Sequence, residues 1–208
     1  MIVRNRDKAI SLDKHKPIAG VDYWPDQSEW VLPTVTKPPT LIAQAFRFIA
    51  VFVILQVAWL ALRDQAFGHI IRGDLTVKPA VMLINLMTPD IHANALGNQI
   101  LAKGGGLVIK LGCEGVEAMF ILIAAMLSGP LSRLVMLKGI VYGTLFIYVF
   151  NQARILTLFY TFRSDKSLFN VLHGTVAPLV LIALAALFFH WWLGRYRSLS
   201  KSGQVTHV

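Results

Sequence analysis

"LGCEGVEAMFILIAAMLS", residues 111 to 128, decides how this chain is read. Its first seven residues hold a cysteine, two glutamates and two glycines, and the rest is apolar up to a closing serine. Gly129-Pro130 ends the run. Eighteen helical residues rise about 27 Å, just enough to cross a hydrocarbon core of about 30 Å. The stretch predicts a membrane helix whose head carries chemistry-bearing side chains.

Three further apolar runs flank it. They are "LIAQAFRFIAVFVILQVAWLAL" (41 to 62), "RLVMLKGIVYGTLFIYVFNQARILTLFYTF" (133 to 162) and "HGTVAPLVLIALAALFFHWW" (173 to 192). The chain is 55% hydrophobic and 15% charged, whereas soluble domains are nearer to about a quarter charged. The expected fold is an all-α integral membrane protein with about four transmembrane helices and short interfacial helices. Residues 63 to 112 do not read as a span. "AVMLINLM", 80 to 87, is too short to cross and runs into Thr88-Pro89. "NQILAKGGGLVIKLG", 98 to 112, alternates polar and apolar residues around a glycine triplet, which predicts a small hairpin before Cys113.

The expected organisation is a cytoplasmic or interfacial tail over 1–40, a transmembrane catalytic domain over 41–195 and a cytoplasmic tail over 196–208. Trp24 and Trp30 suit a headgroup layer. The first apolar run starts only at Leu41, so no cleavable signal peptide is expected. The net charge of +9 does not point to nucleic acid. The basic residues flank apolar runs, as membrane orientation and anionic lipid require. With the N-terminus inside, eleven Lys/Arg fall on the inner side, in short segments at helix ends. Eight fall on the outer side, five of them spread over the long 63–112 segment. The reading is N-in, C-in.

That topology places three polar residues at one depth. Cys113 heads the second span, Arg154 lies late in the third, and His173 opens the fourth. All three reach the outer rim, although 41 and 19 positions separate them. Their chemistry is complementary. A thiolate attacks an amide carbonyl. A histidine takes the thiol proton and returns it to the leaving amine. A guanidinium stabilises the oxyanion, a task worth about 3 kcal/mol for one donor. Glu114 and Glu117 oppose thiolate formation unless they turn toward a cation or the helix N-terminus. Taken singly, each residue has a bland role: Cys113 packs, Arg154 snorkels and His173 sits at the interface. Asp90, Arg163, Asp165 and Lys166 lie near the same rim, where specificity contacts or a solvated loop both fit. No spacing of Glu114, Glu117, His69 and His92 matches a metal motif, so neither a metal nor a cofactor is expected.

Two further classes fit the composition. One is a non-enzymatic assembly or transport subunit, although transporters place polar groups near the midplane. The other is a membrane thioesterase or acyltransferase that uses the same trio on a lipid thioester.

"GCEGVEAM", "NQARI" and "VLHGTVAP" resemble the three blocks of the exosortase/archaeosortase family of membrane transpeptidases. Those blocks are a Cys-x-Gly at a helix head, an Asn-x-x-Arg-Ile and a histidine opening a late helix. The resemblance covers roughly residues 95 to 180. "CEGVEA" is similar to the exosortase H type, and His173 sets the chain apart from the archaeosortase branch. Many exosortases have more spans, and small polar residues often follow their cysteine where Glu114 stands here. The resemblance implies a multi-pass protein of the bacterial inner membrane with its active site on the periplasmic side. It implies a nucleophile at Cys113, an oxyanion and substrate clamp at Arg154 and an acid/base at His173. Asn151, one turn before Arg154, would orient it. Gly112 and Gly115 would admit a peptide backbone beside Glu114 and Glu117. The implied partners are exported proteins ending in a recognition motif, a transmembrane helix and a basic tail. Membrane lipid surrounds them, and water or a lipid or glycan amine accepts the acyl group.

The topology is checked by reporter fusions. A C-terminal fluorescent protein is expected to fold in the cytoplasm, and a tag inserted at Gly105 to react with an impermeant reagent from outside. The opposite pattern would reverse the orientation.

Overall fold

The structure, a computed structural model, describes residues 40–110 and 112–202, with side chains as far as Tyr196. Trp24, Trp30 and the rest of the expected N-terminal tail before Thr40, together with the last six residues, lie outside the described residues.

Helix α1 spans Leu41–Leu62. The Thr40 hydroxyl accepts from Ala43 N at 3.3 Å and starts it. Its apolar side chains stay largely uncovered, with Leu41 and Ile42 at 83% and Phe46 at 72% exposure. The same holds for Leu134, Leu137 and Val141 and for Leu179 and Leu187 further along the chain. In water such surface would demand a partner; in hydrocarbon it is the natural outer face. Among the described residues three segments are long and apolar enough to cross a membrane: Leu41–Leu62, Arg133–Ser164 and Lys166–Tyr196.

Between the first and second of these lie the short elements. Helix α2 (Ala66–His69) runs into a π-helical segment, Ile70–Val77, and then into α3 (Lys78–Met87). A 3-10 turn, Pro89–Ile91, leads to strands β1 (Asn94–Leu96), β2 (Gln99–Leu101) and β3 (Leu107–Val108). The strands form one antiparallel sheet in the order β1-β2-β3. The hairpin expected before Cys113 is thus a three-stranded sheet. Asn85 holds its start in place. The Asn85 amide donates to Ala93 O and accepts from Ala93 N, both at 2.8 Å. Ile100 and Leu107 of the sheet, with Ile109 just after it, are buried in one cluster with Val77, Ile84, Ile155 and Phe159.

Helix α4 covers Val116–Ser128, thirteen residues, and not the eighteen expected from 111. Gly115 adopts φ 78, a left-handed conformation that a helix cannot propagate through. Residues 112 to 115 therefore form a turn in front of the helix. Thirteen residues rise about 20 Å, short of a core of about 30 Å. The fourth apolar segment also differs from the expectation. It begins at Lys166, where Asp165 Oδ1 accepts from Ser167 N (2.8 Å) and Leu168 N (3.1 Å). It runs as α6 (Lys166–Val171), a π-helical segment (Leu172–Val176) and α7 (Ala177–Ser202), past the expected boundary at 195. His173 therefore does not open a helix. It sits about two turns inside one.

Helix α5 (Arg133–Ser164) organises the bundle. Gly115, Leu122 and Met126 lie against Asn151, Gly143 and Gly139, so α4 runs antiparallel to α5. Phe188 and Trp192 lie against Gly143 and Gly139, so α7 does too. Gly139 and Gly143 form a small-xxx-small pair, which lets helices approach closely where lipid supplies no hydrophobic drive. A Cβ on Gly139 would stand 2.7 Å from Trp192 Nε1 and 3.0 Å from Met126 Sδ. A Cβ on Gly143 would collide with Leu122 and stand 2.8 Å from Phe188. Below this crossing Trp192 Nε1 donates to Val135 O at 3.2 Å.

Gly143→Val forces α4 and α7 off α5. Overpacking of this kind costs about 1–3 kcal/mol. The expected outcome is a lowered thermal midpoint in detergent and reduced folded yield, with Val141→Ala on the exposed face of α5 as the unaffected control.

Candidate functional site

The site grows from the turn ahead of α4. Cys113 N donates to Lys110 O at 3.1 Å. Gly112, one residue before, has φ 87, as the third position of a type II turn prefers. The turn presents Cys113 inward at 4% exposure, within the apolar cluster of Ile109, Ile155 and Leu158.

Two elements bring polar groups to the thiol. From α5, Arg154 Nη2 points at Cys113 Sγ over 3.9 Å, and Arg154 Nη1 donates to Gly112 O at 3.3 Å. From the π-helical segment ahead of α7, His173 Nδ1 lies 3.6 Å from Cys113 Sγ. Phe169, four residues earlier, stacks on the imidazole at 5.3 Å and 3° and fixes its plane. Asn151, one turn before Arg154, donates from Nδ2 to Cys113 O at 3.2 Å. It orients the backbone of the cysteine and not the arginine. Gly115 is required here, because a Cβ would stand 2.8 Å from Asn151 Cγ.

The two glutamates part ways. The Glu114 side chain is fully buried, and its Oε2 accepts from Gly112 N at 2.7 Å. Its Oε1 lies 4.0 Å from Arg72 Nε, on the first π-helical segment, and has no hydrogen-bond partner. Glu117 is half-buried in the first turn of α4, where a carboxylate suits the helix N-terminus, and its Oε1 lies 4.0 Å from the place a Gly112 Cβ would take. Burial pushes the Cys113 thiol above its ordinary range; Arg154 pulls it down, and Glu114 and Glu117 add to the rise. Burial likewise raises the Glu114 carboxyl, against its hydrogen bonds and Arg72.

Arg154 retains a free donor, since its buried Nε has no hydrogen-bond partner. It also borders an apolar cavity of about 220 Å³ between α5 and α7, lined by Leu158, Leu172, Ala177 and Leu181 among others. Such a site can transfer a proton from thiol to imidazole, attack an electrophilic carbon and stabilise the oxygen that becomes charged.

Cys113, Arg154, His173, Asn151, Glu114, Gly112, Gly115 and Glu117 thus gather around one turn. Other rim residues do local work. Arg163 Nη1 donates to Gly105 O at 3.0 Å and sits over the Phe159 ring, and Asp165 caps α6. Among the described residues no three His, Cys, Asp or Glu side chains converge as a metal-holding group. Two members escaped the sequence reading. Phe169 had a signal, the i,i+4 spacing to His173, hidden because the helix was started at His173. Arg72 had none, since only tertiary folding brings it to Glu114. Comparison with protein-family models, curated proteins and solved structures yields no match. The geometry therefore carries the functional argument alone.

Alkylation of Cys113 is expected to accelerate with pH, with a midpoint above the free-thiol value of about 8.5. Arg154→Met removes the opposing positive charge and moves the midpoint higher. A midpoint below neutrality in the wild-type protein would show a resting thiolate and contradict the buried-thiol geometry.

Proposed function

We propose that this chain is a membrane-embedded cysteine transpeptidase of the exosortase branch, cleaving a C-terminal sorting signal of exported proteins. The carrying observation is the approach of His173 Nδ1 (3.6 Å) and Arg154 Nη2 (3.9 Å) to one thiol, from two separate helices. Contacts of this length suit an unliganded site that tightens on substrate.

In this reading the resting site holds a thiol. As Sγ attacks the scissile carbonyl, His173 takes its proton, and a C–S bond forms while the oxygen becomes an oxyanion. Arg154 stabilises that oxyanion, with Nε as a free donor. Collapse breaks the C–N bond, and His173 gives its proton to the leaving amine. Water or an amine then attacks the thioester, His173 takes the new proton, and the thiol is restored when C–S breaks. The antiparallel order of α4, α5 and α7 fits alternating crossings; the distribution of Lys and Arg favours N-in and C-in, and the family resemblance favours the bacterial inner membrane. There the short α4 and its preceding turn complete the second crossing, and the thiol faces the periplasm. Substrates enter sideways, with their own helix in the bilayer and their basic tail inside.

A second reading draws on the apolar cavity beside Arg154. Its lining suits an acyl chain, as in a membrane thioesterase or acyltransferase.

Co-expression with candidate substrates ending in a helix and basic tail tests the first reading. The expected outcome is a shortened substrate and a hydroxylamine-sensitive adduct on Cys113, both lost in Cys113→Ala. Arg154→Met is expected to slow processing by about 10²-fold or more, the usual cost of an oxyanion donor. Processing that survives Cys113→Ala sinks the reading. Release of fatty acid from a lipid thioester with no polypeptide adduct favours the second.

A further inference from the structure

A fully buried carboxylate beside a reactive thiol is costly in two ways. It must be desolvated, and its charge opposes formation of the thiolate. Glu114 is such a group. Its position becomes intelligible from what it holds. One oxygen accepts from Gly112 N at 2.7 Å. The other faces Arg72 at 4.0 Å. Arg72 is itself fixed. Its Nε donates to Gly68 O at 3.3 Å, and its Nη2 donates to Arg63 O at the end of α1. Arg72 lies in a π-helical segment, as His173 does, and such segments often mark functional positions. On the opposite side the same turn is gripped by Arg154 at Gly112 O and by Asn151 at Cys113 O. The amide of Gly112 thus goes to Glu114 and its carbonyl to Arg154.

We propose that Arg72 and Glu114 are a positioning pair that tethers the Gly112–Cys113 turn to the end of α1, so that Sγ is held between Arg154 and His173. This rests on the reading of Cys113 as the nucleophile. The pair touches neither substrate nor the reacting atoms and acts through the turn. The logic is geometric: Arg154 and Asn151 hold the turn through its carbonyls, Glu114 and Arg72 through the Gly112 amide, and a displacement of about 1 Å at a reacting atom can cost about 10²-fold in rate.

The test uses the full chain in detergent or nanodiscs and two readouts. One is the pH profile of Cys113 alkylation with iodoacetamide, which needs no substrate. The other is processing of a co-expressed substrate. The charges facing the thiol are Arg154 from α5, His173 from the segment before α7, and Glu114 and Glu117 from its own segment. Glu114→Gln keeps an oxygen for Gly112 N and removes the negative charge. The alkylation midpoint is expected to fall, and processing to drop by less than in a variant that also loses the Gly112 anchor. Glu114→Ala removes the anchor, and processing is expected to drop about tenfold or more. Arg72→Met leaves the carboxylate without its cation and is expected to fall similarly. In the double variant Arg72→Met/Glu114→Ala processing is expected to fall no further than in the worse single variant, because both residues act through one tether. An Arg72 that merely stabilised the fold would add a loss of its own. Thermal unfolding of each variant separates misfolding, with Arg72→Lys as the conservative substitute. Wild-type processing and alkylation in Glu114→Ala, or losses that add in the double variant, overturn the proposal. If the wild-type protein processes no substrate, yet Glu114→Ala and Arg72→Met each alter the rate of Cys113 alkylation and the double variant alters it no further, the transpeptidase reading fails and the pairing stands.

Discussion

The grip of α5 on the turn before α4 is the interaction on which the rest depends. Arg154 is buried, donates to Gly112 O and reaches the Cys113 sulfur. A buried guanidinium is costly unless its donors are used, so the turn must come to it. Asn151 completes the grip one helical turn away, filling the space that Gly115 leaves by having no side chain. The positive φ values of Gly112 and Gly115 are consequences of this fit. The chain must reverse twice within four residues to offer both a carbonyl and a thiol to one arginine.

The remainder of the bundle makes that fit rigid. Lipid does not drive helices together as water does, so close approach must come from small residues and packing. Gly139 and Gly143 supply it on α5, receiving Leu122 and Met126 from α4 and Phe188 and Trp192 from α7. This crossing lies about three to four turns below Arg154 and fixes the relative height of all three helices. The height sets whether the 113, 154 and 173 side chains meet. The sheet and α3 close the other end by burying Ile100, Leu107 and Ile109. Within residues 40–202 the buried side chains thus form two clusters, one between α4, α5 and α7 and one around the sheet, α3 and the end of α5.

How much of this was legible in the residues varies with the element. The apolar runs at 41–62, 133–162 and 173–192 were legible, because membrane length and hydropathy are local properties. The alternating, glycine-rich 98–112 stretch announced strands for the same reason. The start of α4 was misread because apolarity says nothing of φ. With Gly115 in the left-handed region, the helix begins at Val116, five residues later than the run from 111 suggested. The start of the fourth segment was missed because its first turns are polar and amphipathic, and its signal is a capping aspartate, not an apolar run. That error also hid Phe169, the stacking partner of His173.

By itself the sequence determined three runs long and apolar enough to cross a membrane, a chain order that can bring Cys113, Arg154 and His173 toward one end of the helices, and two glutamates just after the thiol. These follow from chain direction and composition, which folding cannot alter. Only the tertiary structure decided where those carboxylates point. Glu114 turns from the sulfur toward Gly112 N and Arg72, a residue 42 positions away. No local pattern encodes that contact, because it depends on how α1, the π-helical segment and α4 pack in three dimensions.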